Sequence, residues 1–196
     1  MAEAACELFL EQGYAATSVA DIALRAGVSR SSFFNYFSSK SDVIWGGFDT
    51  RAQSARDAIA GSADPIGALR GIAVGFAPDS LALAITHADA MGLTHDLDAE
   101  RALRQALLGR AVSDRLVAQG RSRLVADVRG AAAGGAVLAA VWAWSAAGPA
   151  RAEMGSFLDD ALAIADPKGE TRGPVAPGSA DRIGGSWRLS AHSAIG

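Results

Sequence analysis

The chain has 196 residues, of which half are hydrophobic and 20% are charged, and its formal net charge is −3. This length and composition predict a folded protein with one small and one medium domain. The negative balance argues against a protein that coats nucleic acid or a membrane surface. The single cysteine, Cys6, excludes an internal disulfide and an all-cysteine zinc site, and the absence of a signal peptide predicts a cytoplasmic protein.

Two short helical patterns on either side of Gly27 make residues 17–40 the most informative segment. Thr17 and Ser18 are good N-caps, because a hydroxyl accepts a hydrogen bond from an N–H of the first helical turn. Apolar residues then recur at helical spacing up to Ala26. Gly27 can end this first helix, because a glycine tolerates a left-handed backbone.

The second pattern begins with Ser29 as its cap, and Phe33 and Phe37 fall four residues apart on one face. Its other faces carry arginine, hydroxyl and aromatic side chains, which can bond base edges and phosphates or contact a thymine methyl. Lys40 follows the helix, where it can reach a phosphate. The layout from about Ser18 to Phe37 therefore predicts a helix-turn-helix that reads DNA, although a helical hairpin without a DNA role has the same spacing.

This segment and its flanks resemble the N-terminal domain of the tetracycline-repressor (TetR) family over residues 1–48. The family shows the pattern A-x-x-L-F-x-x-x-G-Y-x-x-T-[ST]-V-x-x-I-A-x-x-A-G-V-S, followed by an aromatic-rich helix and [SN]-K. The matching residues are Ala5, Leu8, Phe9, Gly13, Tyr14, Thr17, Ser18, Val19, Ile22, Ala23, Ala26, Gly27, Val28, Ser29, Phe33, Tyr36, Phe37, Ser39 and Lys40.

The resemblance implies that the second helix enters the major groove of a double-stranded DNA operator. Arg30, Ser31 and Ser32 would read bases, with Phe34 near the groove wall. Phosphates would be bonded by Thr17, Tyr36 and Lys40. The complete set of predicted DNA-binding residues is Thr17, Ser18, Arg30, Ser31, Ser32, Phe34, Tyr36 and Lys40. The implied three-helix core is Leu8, Phe9, Tyr14, Val19, Ile22, Val28, Phe33 and Phe37.

Two features of residues 1–48 depart from what a DNA reader needs. Only three basic residues (Arg25, Arg30 and Lys40) stand against five acidic ones in this segment. Phosphate neutralisation dominates DNA affinity, so we expect weak non-specific binding. Family members also usually carry a longer, often basic lead-in, so either the true start lies upstream or this protein binds DNA with less electrostatic help.

The rest of the chain up to residue 166 is predicted to be helical, without the alternation that marks strands. Predicted helices cover about 42–59, 65–76, 78–91, 96–119, 123–147 and 150–164. Residues 167–196 are rich in Gly, Pro and Ser, which predicts a disordered tail. The predicted fold is all-α, with an N-terminal three-helix helix-turn-helix domain (1–48) and a C-terminal helical ligand-binding and dimerisation domain (49–166).

Residues 130–150 carry no charge, which suits either a membrane span or a helix buried at close helix–helix contacts. The many small residues favour burial. In the TetR family the last two long helices form a four-helix dimer bundle, and residues 123–147 and 150–164 occupy that position. We therefore predict a homodimer and no membrane partner. Trp142 and Trp144 could serve the dimer interface or a pocket.

The second domain is predicted to bind a small-molecule effector, with a ligand-free dimerisation domain as the alternative. Candidate pocket residues are bulky or polar side chains on alanine-rich faces, each of which could equally be core. They are Phe76, Ile85, His87, Met91, Leu107, Trp142 and Phe157. The segment Asp42–Asp49 resembles that of TetR proteins near actinobacterial mycofactocin clusters, which implies an acyl-CoA or lipid-like effector. His87 and His95 lack metal-ligand spacing, so no metal is predicted.

An enzyme is the competing class, and its motifs are missing. The sequence has no GxSxG, CxxC, HExxH or glycine-rich phosphate loop. We predict no catalytic residue and no cofactor. The predicted function is a ligand-responsive repressor that releases its operator on binding an effector, with the helix over about 42–59 as the lever between domains. The alternative is a helix-turn-helix adaptor or an activator without a small-molecule ligand.

Overall fold

The computed structural model describes residues 1–77, 80–148 and 152–166, and these ranges contain helices and no strand, which confirms the all-α prediction. The helices are α1 Ala2–Gln12, α2 Val19–Arg25, α3 Arg30–Phe34, α4 Asp42–Gly61, α5 Ser80–Thr86, α6 Ala88–Met91, α7 Thr94–Ala118, α8 Arg123–Ala146 and α9 Met154–Ala165, with a 3₁₀ helix Gly67–Ala73 after α4. The helix α4 runs unbroken across residue 48, so the division of the chain at that residue stays a prediction.

The helices α2 and α3 begin at caps that the sequence predicts, Ser18 and Ser29. Ser18 and Asp21 make a reciprocal capping box at the start of α2, in which each side chain accepts a backbone N–H of the other residue. Phe9, Ile22 and Phe33, one from each of α1, α2 and α3, are fully buried together. This small core fixes the mutual orientation of the three helices.

The longest helices, α7 and α8, pack at backbone distance through glycines. A Cβ on Gly109 would lie 2.8 Å from the carbonyl oxygen of Gly130, and one on Gly134 would lie 2.9 Å from the backbone nitrogen of Gly109. No larger side chain fits there without separating the helices. This contact explains why the uncharged segment of α8 is rich in small residues.

The helix α8 is also the segment that could be taken for a membrane span. Within the described ranges, α8 alone is long and apolar enough to cross a membrane, and half of its apolar window is buried in the protein. A core helix of a soluble protein has the same length and composition. The glycine contacts with α7 account for that composition without a bilayer.

Two predicted helices differ from the observed ones. The helix expected over 65–76 is the shorter 3₁₀ helix, since glycines at 67, 71 and 75 weaken an α-helix and Gly75 adopts a φ of 61°. The helix expected over 78–91 is divided into α5 and α6 at His87, where the hydroxyl of Thr86 donates to the Ala82 carbonyl. Such back-bonding bends helices. Pro78, Asp79 and Pro149, and the predicted tail 167–196, lie outside the described residues.

Candidate DNA-binding site

The turn between α2 and α3 has the geometry that the sequence predicts. Gly27 adopts a left-handed φ of 68°, and the Val28 amide donates to the Ala23 carbonyl at 2.9 Å. Ser29 then caps α3 by accepting the Ser32 amide at 3.0 Å. The turn therefore ends one helix and starts the next within a few residues, as a helix-turn-helix requires.

The outer surface of α3 presents the predicted base-reading side chains. Arg30 and Ser31 are exposed, and Ser32 is half-buried. Phe34 is 46% exposed and Tyr36, just after the helix, is 74% exposed. The observed α3 ends at Phe34, so Tyr36 and Phe37 follow the helix.

The inner side of α3 is anchored by aromatic contacts. Phe33 is fully buried, and its ring centre lies 5.4 Å from that of Phe37 and 5.5 Å from that of Phe34. The guanidinium carbon of Arg30 lies 5.7 Å from the centre of the Phe34 ring. The outward-facing Arg30 and Phe34 are thus tied to the buried core through Phe33.

Two predicted phosphate ligands make contacts inside the domain. The Thr17 side chain is buried, and its hydroxyl donates to the Gly13 carbonyl at 2.8 Å. The Lys40 ammonium donates to the carbonyls of Tyr14 (2.6 Å) and Thr17 (3.1 Å) and lies 3.9 Å from the centre of the Tyr14 ring. Phosphate binding by these two residues stays a prediction, and it requires their side chains to turn outward.

The charge of Arg25 is neutralised within the domain. Its guanidinium contacts Glu7 at 3.2 Å and Glu11 at 2.7 Å across α1 and α2. The hydrogen bond from Arg25 lowers the pKa of the Glu11 carboxyl below its ordinary value. Arg25 is therefore less available to phosphates than its position in the sequence suggests.

The helix-turn-helix domain contacts the second domain through α1 and α4. The Tyr14 amide, just after α1, donates to the Met91 carbonyl at the end of α6 at 2.8 Å. In α4, Trp45 and Phe48 are fully buried, with ring centres 5.7 Å apart. A shift of α4 or α6 therefore acts directly on the domain that carries α3.

An ion pair that the sequence did not reveal links α4 to α7. Arg104 binds Asp49 through two hydrogen bonds, of 2.7 and 2.6 Å, and also contacts Glu100. The guanidinium of Arg104 lies 4.0 Å from the centre of the Trp45 ring. Burial lowers the pKa of Arg104, but the hydrogen bonds that Arg104 donates to Asp49 and Glu100 outweigh this effect, so its pKa is raised above the ordinary value. We call Trp45, Asp49, Glu100 and Arg104 the Arg104 cluster.

A cavity of about 190 Å³ lies beside this cluster, between α4 and α7. Its lining is Asp49, Ala52, Gln53, Arg56, Leu103, Arg104, Leu107 and Leu108. We call it the α4–α7 cavity. Four of these residues are apolar and four are polar or charged, a mixture that suits an amphipathic molecule.

The seven predicted pocket residues are not brought together in this cavity; Leu107 is the one that lines it. Met91 is fully buried and His87 is exposed. Phe76 packs edge-to-face on Trp144, and Trp142 lies 6.0 Å from Trp45, ring centre to ring centre. Ile85 and Phe157 are half-buried against the core. Their role in effector binding stays a prediction.

Among the residues that the structure describes, no group of three or more His, Cys, Asp or Glu side chains could hold a metal ion.

The capped helices α2 and α3 form a helix-turn-helix unit with an exposed arginine, and longer helices follow it. Residues 2–44 match the profile of bacterial regulatory proteins of the tetR family. This match confirms the resemblance of the N-terminal segment to the helix-turn-helix of the TetR family.

The similarity to known proteins extends beyond that profile. A Mycobacterium tuberculosis (strain ATCC 25618 / H37Rv) protein described as a mycofactocin biosynthesis transcriptional regulator, MftR, is 42% identical over 50 residues, which are 26% of this chain and 25% of that protein. The match thus spans about a quarter of that relative. It confirms the resemblance to the mycofactocin-associated subgroup over the matched part.

Two solved structures are similar over most of the chain. Thermus thermophilus FadR, described as a TetR-family transcriptional repressor in complex with lauroyl-CoA, has 27% identity and a TM-score of 0.51, covering 90% of this chain and 97% of that one. A TetR/AcrR-family regulator from Thermobifida fusca YX-ER1 has 21% identity and a TM-score of 0.38, covering 87% and 96%. The similarity to the first extends over the helix-turn-helix and the helices that follow it.

Proposed function

We propose that this protein is a homodimeric repressor that binds a double-stranded DNA operator and releases it when a small acyl-CoA-like or lipid-like effector binds. The observation that carries the proposal is the α2–turn–α3 unit, with its left-handed Gly27, capped α3 and exposed Arg30. One such unit in each subunit would enter successive major grooves. The setting is the cytoplasm, and no membrane is involved.

Exposed apolar side chains on α8 and α9 support the homodimer. Leu124 and Val128, one turn apart on α8, are 75% and 61% exposed, and Ile164 on α9 is 83% exposed. Adjacent apolar side chains on a helix surface are a feature of protein interfaces. In a four-helix bundle of α8 and α9 from two subunits, these side chains leave the solvent.

The α4–α7 cavity supports an effector that acts on α4. Ala52 in α4 and Leu103 and Leu107 in α7 line it, and α4 directly follows the helix-turn-helix. A ligand that binds better when α4 is displaced would shift the population away from the DNA-binding spacing. The lauroyl-CoA in the complex of the similar FadR makes an acyl thioester the first effector to test.

A gel-shift and footprint on the region upstream of the protein's own gene would test operator binding. We expect one protected site with two half-sites about one helical turn apart. Arg30→Ala and Tyr36→Ala should each abolish protection, whereas Arg121→Ala, which removes an exposed charge far from α3, should not. Unchanged binding by the first two variants would refute the assignment of the site.

Effector release is tested by titrating lauroyl-CoA into the protein–operator complex, with free CoA and laurate as controls. We expect lauroyl-CoA to release the DNA and Leu107→Gln to raise the concentration needed. If acyl-CoAs of several chain lengths leave the complex intact, the effector part of the proposal fails and operator binding stands.

A protein-binding adaptor is the second candidate. Residues 1–48 carry five carboxylates and three basic groups, and one of the basic groups, Arg25, is already paired. This charge balance favours a protein-binding adaptor over a protein that binds DNA strongly. The footprint separates the two functions, because an adaptor protects no DNA.

A further inference from the structure

Arg30 is the cation of the helix-turn-helix domain that remains available to DNA. Arg25 is paired with two carboxylates, and Lys40 donates to two carbonyls. In the part of the chain that the structure describes, the contact recorded for the Arg30 guanidinium is the face of Phe34, and the side chain is exposed. Its hydrogen-bond donors therefore point to solvent, where a base edge could meet them.

Phe34 holds this guanidinium in place from one turn further along α3. Its ring packs at 81° against that of Phe33, which is fully buried. Phe33 in the core contacts Phe34, and Phe34 contacts Arg30. The Arg30 side chain therefore has fewer accessible conformations than an arginine without such a contact. A planar fork that is already oriented loses less conformational freedom when it binds.

The neighbouring serines cannot give the same specificity. Ser29 Oγ accepts the Ser32 amide and lies 2.9 Å from Ser31 Oγ and 2.8 Å from Ser32 Oγ. These hydroxyls therefore satisfy one another in part. A hydroxyl also donates or accepts as required, so it fits several bases. A guanidinium can only donate, and guanine alone presents two acceptors, O6 and N7, side by side in the major groove.

We propose that Arg30 reads a guanine in each operator half-site by donating to O6 and N7, and that Phe34 is the positioning residue for this contact. The inference rests on the proposed operator binding and adds which residue specifies which base. Ser31 and Ser32 then serve the backbone or the fit of the helix in the groove.

The test begins with selection of binding sites from a random duplex library by the full-length protein. In the selected duplex each guanine is replaced in turn by 7-deazaguanine, which lacks N7, or by inosine, which keeps O6 and N7. At one guanine per half-site, 7-deazaguanine should weaken binding roughly tenfold to a hundredfold, and inosine should not. In Arg30→Ala the 7-deazaguanine penalty should disappear.

Two further variants separate base reading from charge and from packing. Arg30→Lys keeps the charge without the fork, so it should bind the duplex but show a smaller preference for guanine. Phe34→Leu should reduce the 7-deazaguanine penalty, whereas Phe34→Tyr, which keeps a ring, should retain it. Circular dichroism checks that each variant is folded. We expect all of them to fold, because the side chains of Arg30 and Phe34 are exposed.

Two results would overturn the inference. If Arg30→Ala retains the full 7-deazaguanine penalty, another residue reads the guanine, while operator binding itself stands. If the selection enriches no sequence at all, the proposed operator binding fails and the guanine contact with it.

Discussion

Replacing Gly134 by alanine should destabilise the protein relative to the same replacement at the adjacent Gly135. Both residues lie inside α8. A Cβ at residue 134 would overlap the Gln105 carbonyl oxygen and lie 2.9 Å from the Gly109 nitrogen, both backbone atoms of α7. A Cβ at residue 135 meets only the side chain of Gln105, at 3.3 Å, which can rotate away.

The expected magnitude follows from two opposing effects. Alanine is favoured over glycine inside a helix by about 1 kcal/mol, and this gain is common to both variants. Forcing a methyl group into a closely packed contact costs about 1–3 kcal/mol. Gly135→Ala should therefore stabilise by about 0.5–1 kcal/mol, and the two variants should differ by the packing cost, about 1–3 kcal/mol.

Urea unfolding followed by circular dichroism measures this difference directly. The experiment needs two protein concentrations, because the proposed homodimer would make stability depend on concentration. Equal free energies of unfolding for Gly134→Ala and Gly135→Ala would refute the close approach of α7 and α8. An unchanged difference at both concentrations would show that dimerisation is not its source.

Three further predictions concern stability. Asp49→Ala removes both hydrogen bonds to the nearly buried Arg104 side chain; because Asp49 is 42% exposed, solvent limits the expected loss to about 1–3 kcal/mol in urea unfolding. Ser18→Ala removes the α2 cap and should cost about 1 kcal/mol in the same assay. The hydrogen bond from Ser113 lowers the pKa of Asp127, so its stabilisation is full above the ordinary aspartate pKa and is lost as pH falls through the lowered one. The free energy of unfolding of Ser113→Ala should therefore fall less between neutral and acid pH than that of the unchanged protein.

The local features of the fold could be predicted from the sequence because they depend on neighbouring residues. The Ser18 cap, the Gly27 stop and the Ser29 cap each involve groups within a few positions, so residue type and spacing were sufficient. The 3₁₀ helix after α4 was missed because Asp64-Pro65 starts any helix equally well. The glycines at 67, 71 and 75, which weaken an α-helix, were not weighed against that start.

The second domain could not be predicted at the level of its site. Asp49 and Arg104 are 55 residues apart, and nothing in either segment marks the other as its partner. The pocket candidates were chosen as bulky residues on alanine-rich faces, a criterion that core residues such as Met91 also satisfy. Lys40 shows the same limit on a smaller scale, since its position after α3 does not reveal that its ammonium folds back onto Tyr14.

The ties between α4 and α7 indicate where a proposed effector would act. Near the end of α4, Arg115 donates to the Ser62 carbonyl at 2.7 Å, and Gln119 donates to the same carbonyl at 3.1 Å. The Asp49–Arg104 pair is the tie on the side of the DNA-binding domain, and the α4–α7 cavity lies next to it. A ligand that widens this cavity would therefore strain the Asp49–Arg104 pair first.

Weakening the Asp49–Arg104 pair should make it easier for such a ligand to release the operator DNA. We expect Asp49→Ala to lower the lauroyl-CoA concentration that releases half of the operator DNA, since less interaction free energy must be overcome when α4 moves. Asp159→Asn, which alters an exposed ion pair with Arg70 outside the cavity lining and the helix-turn-helix, is the control and should leave that concentration unchanged. If Asp49→Ala leaves it unchanged as well, or raises it, the pair does not oppose effector binding and the movement of α4 has a different origin.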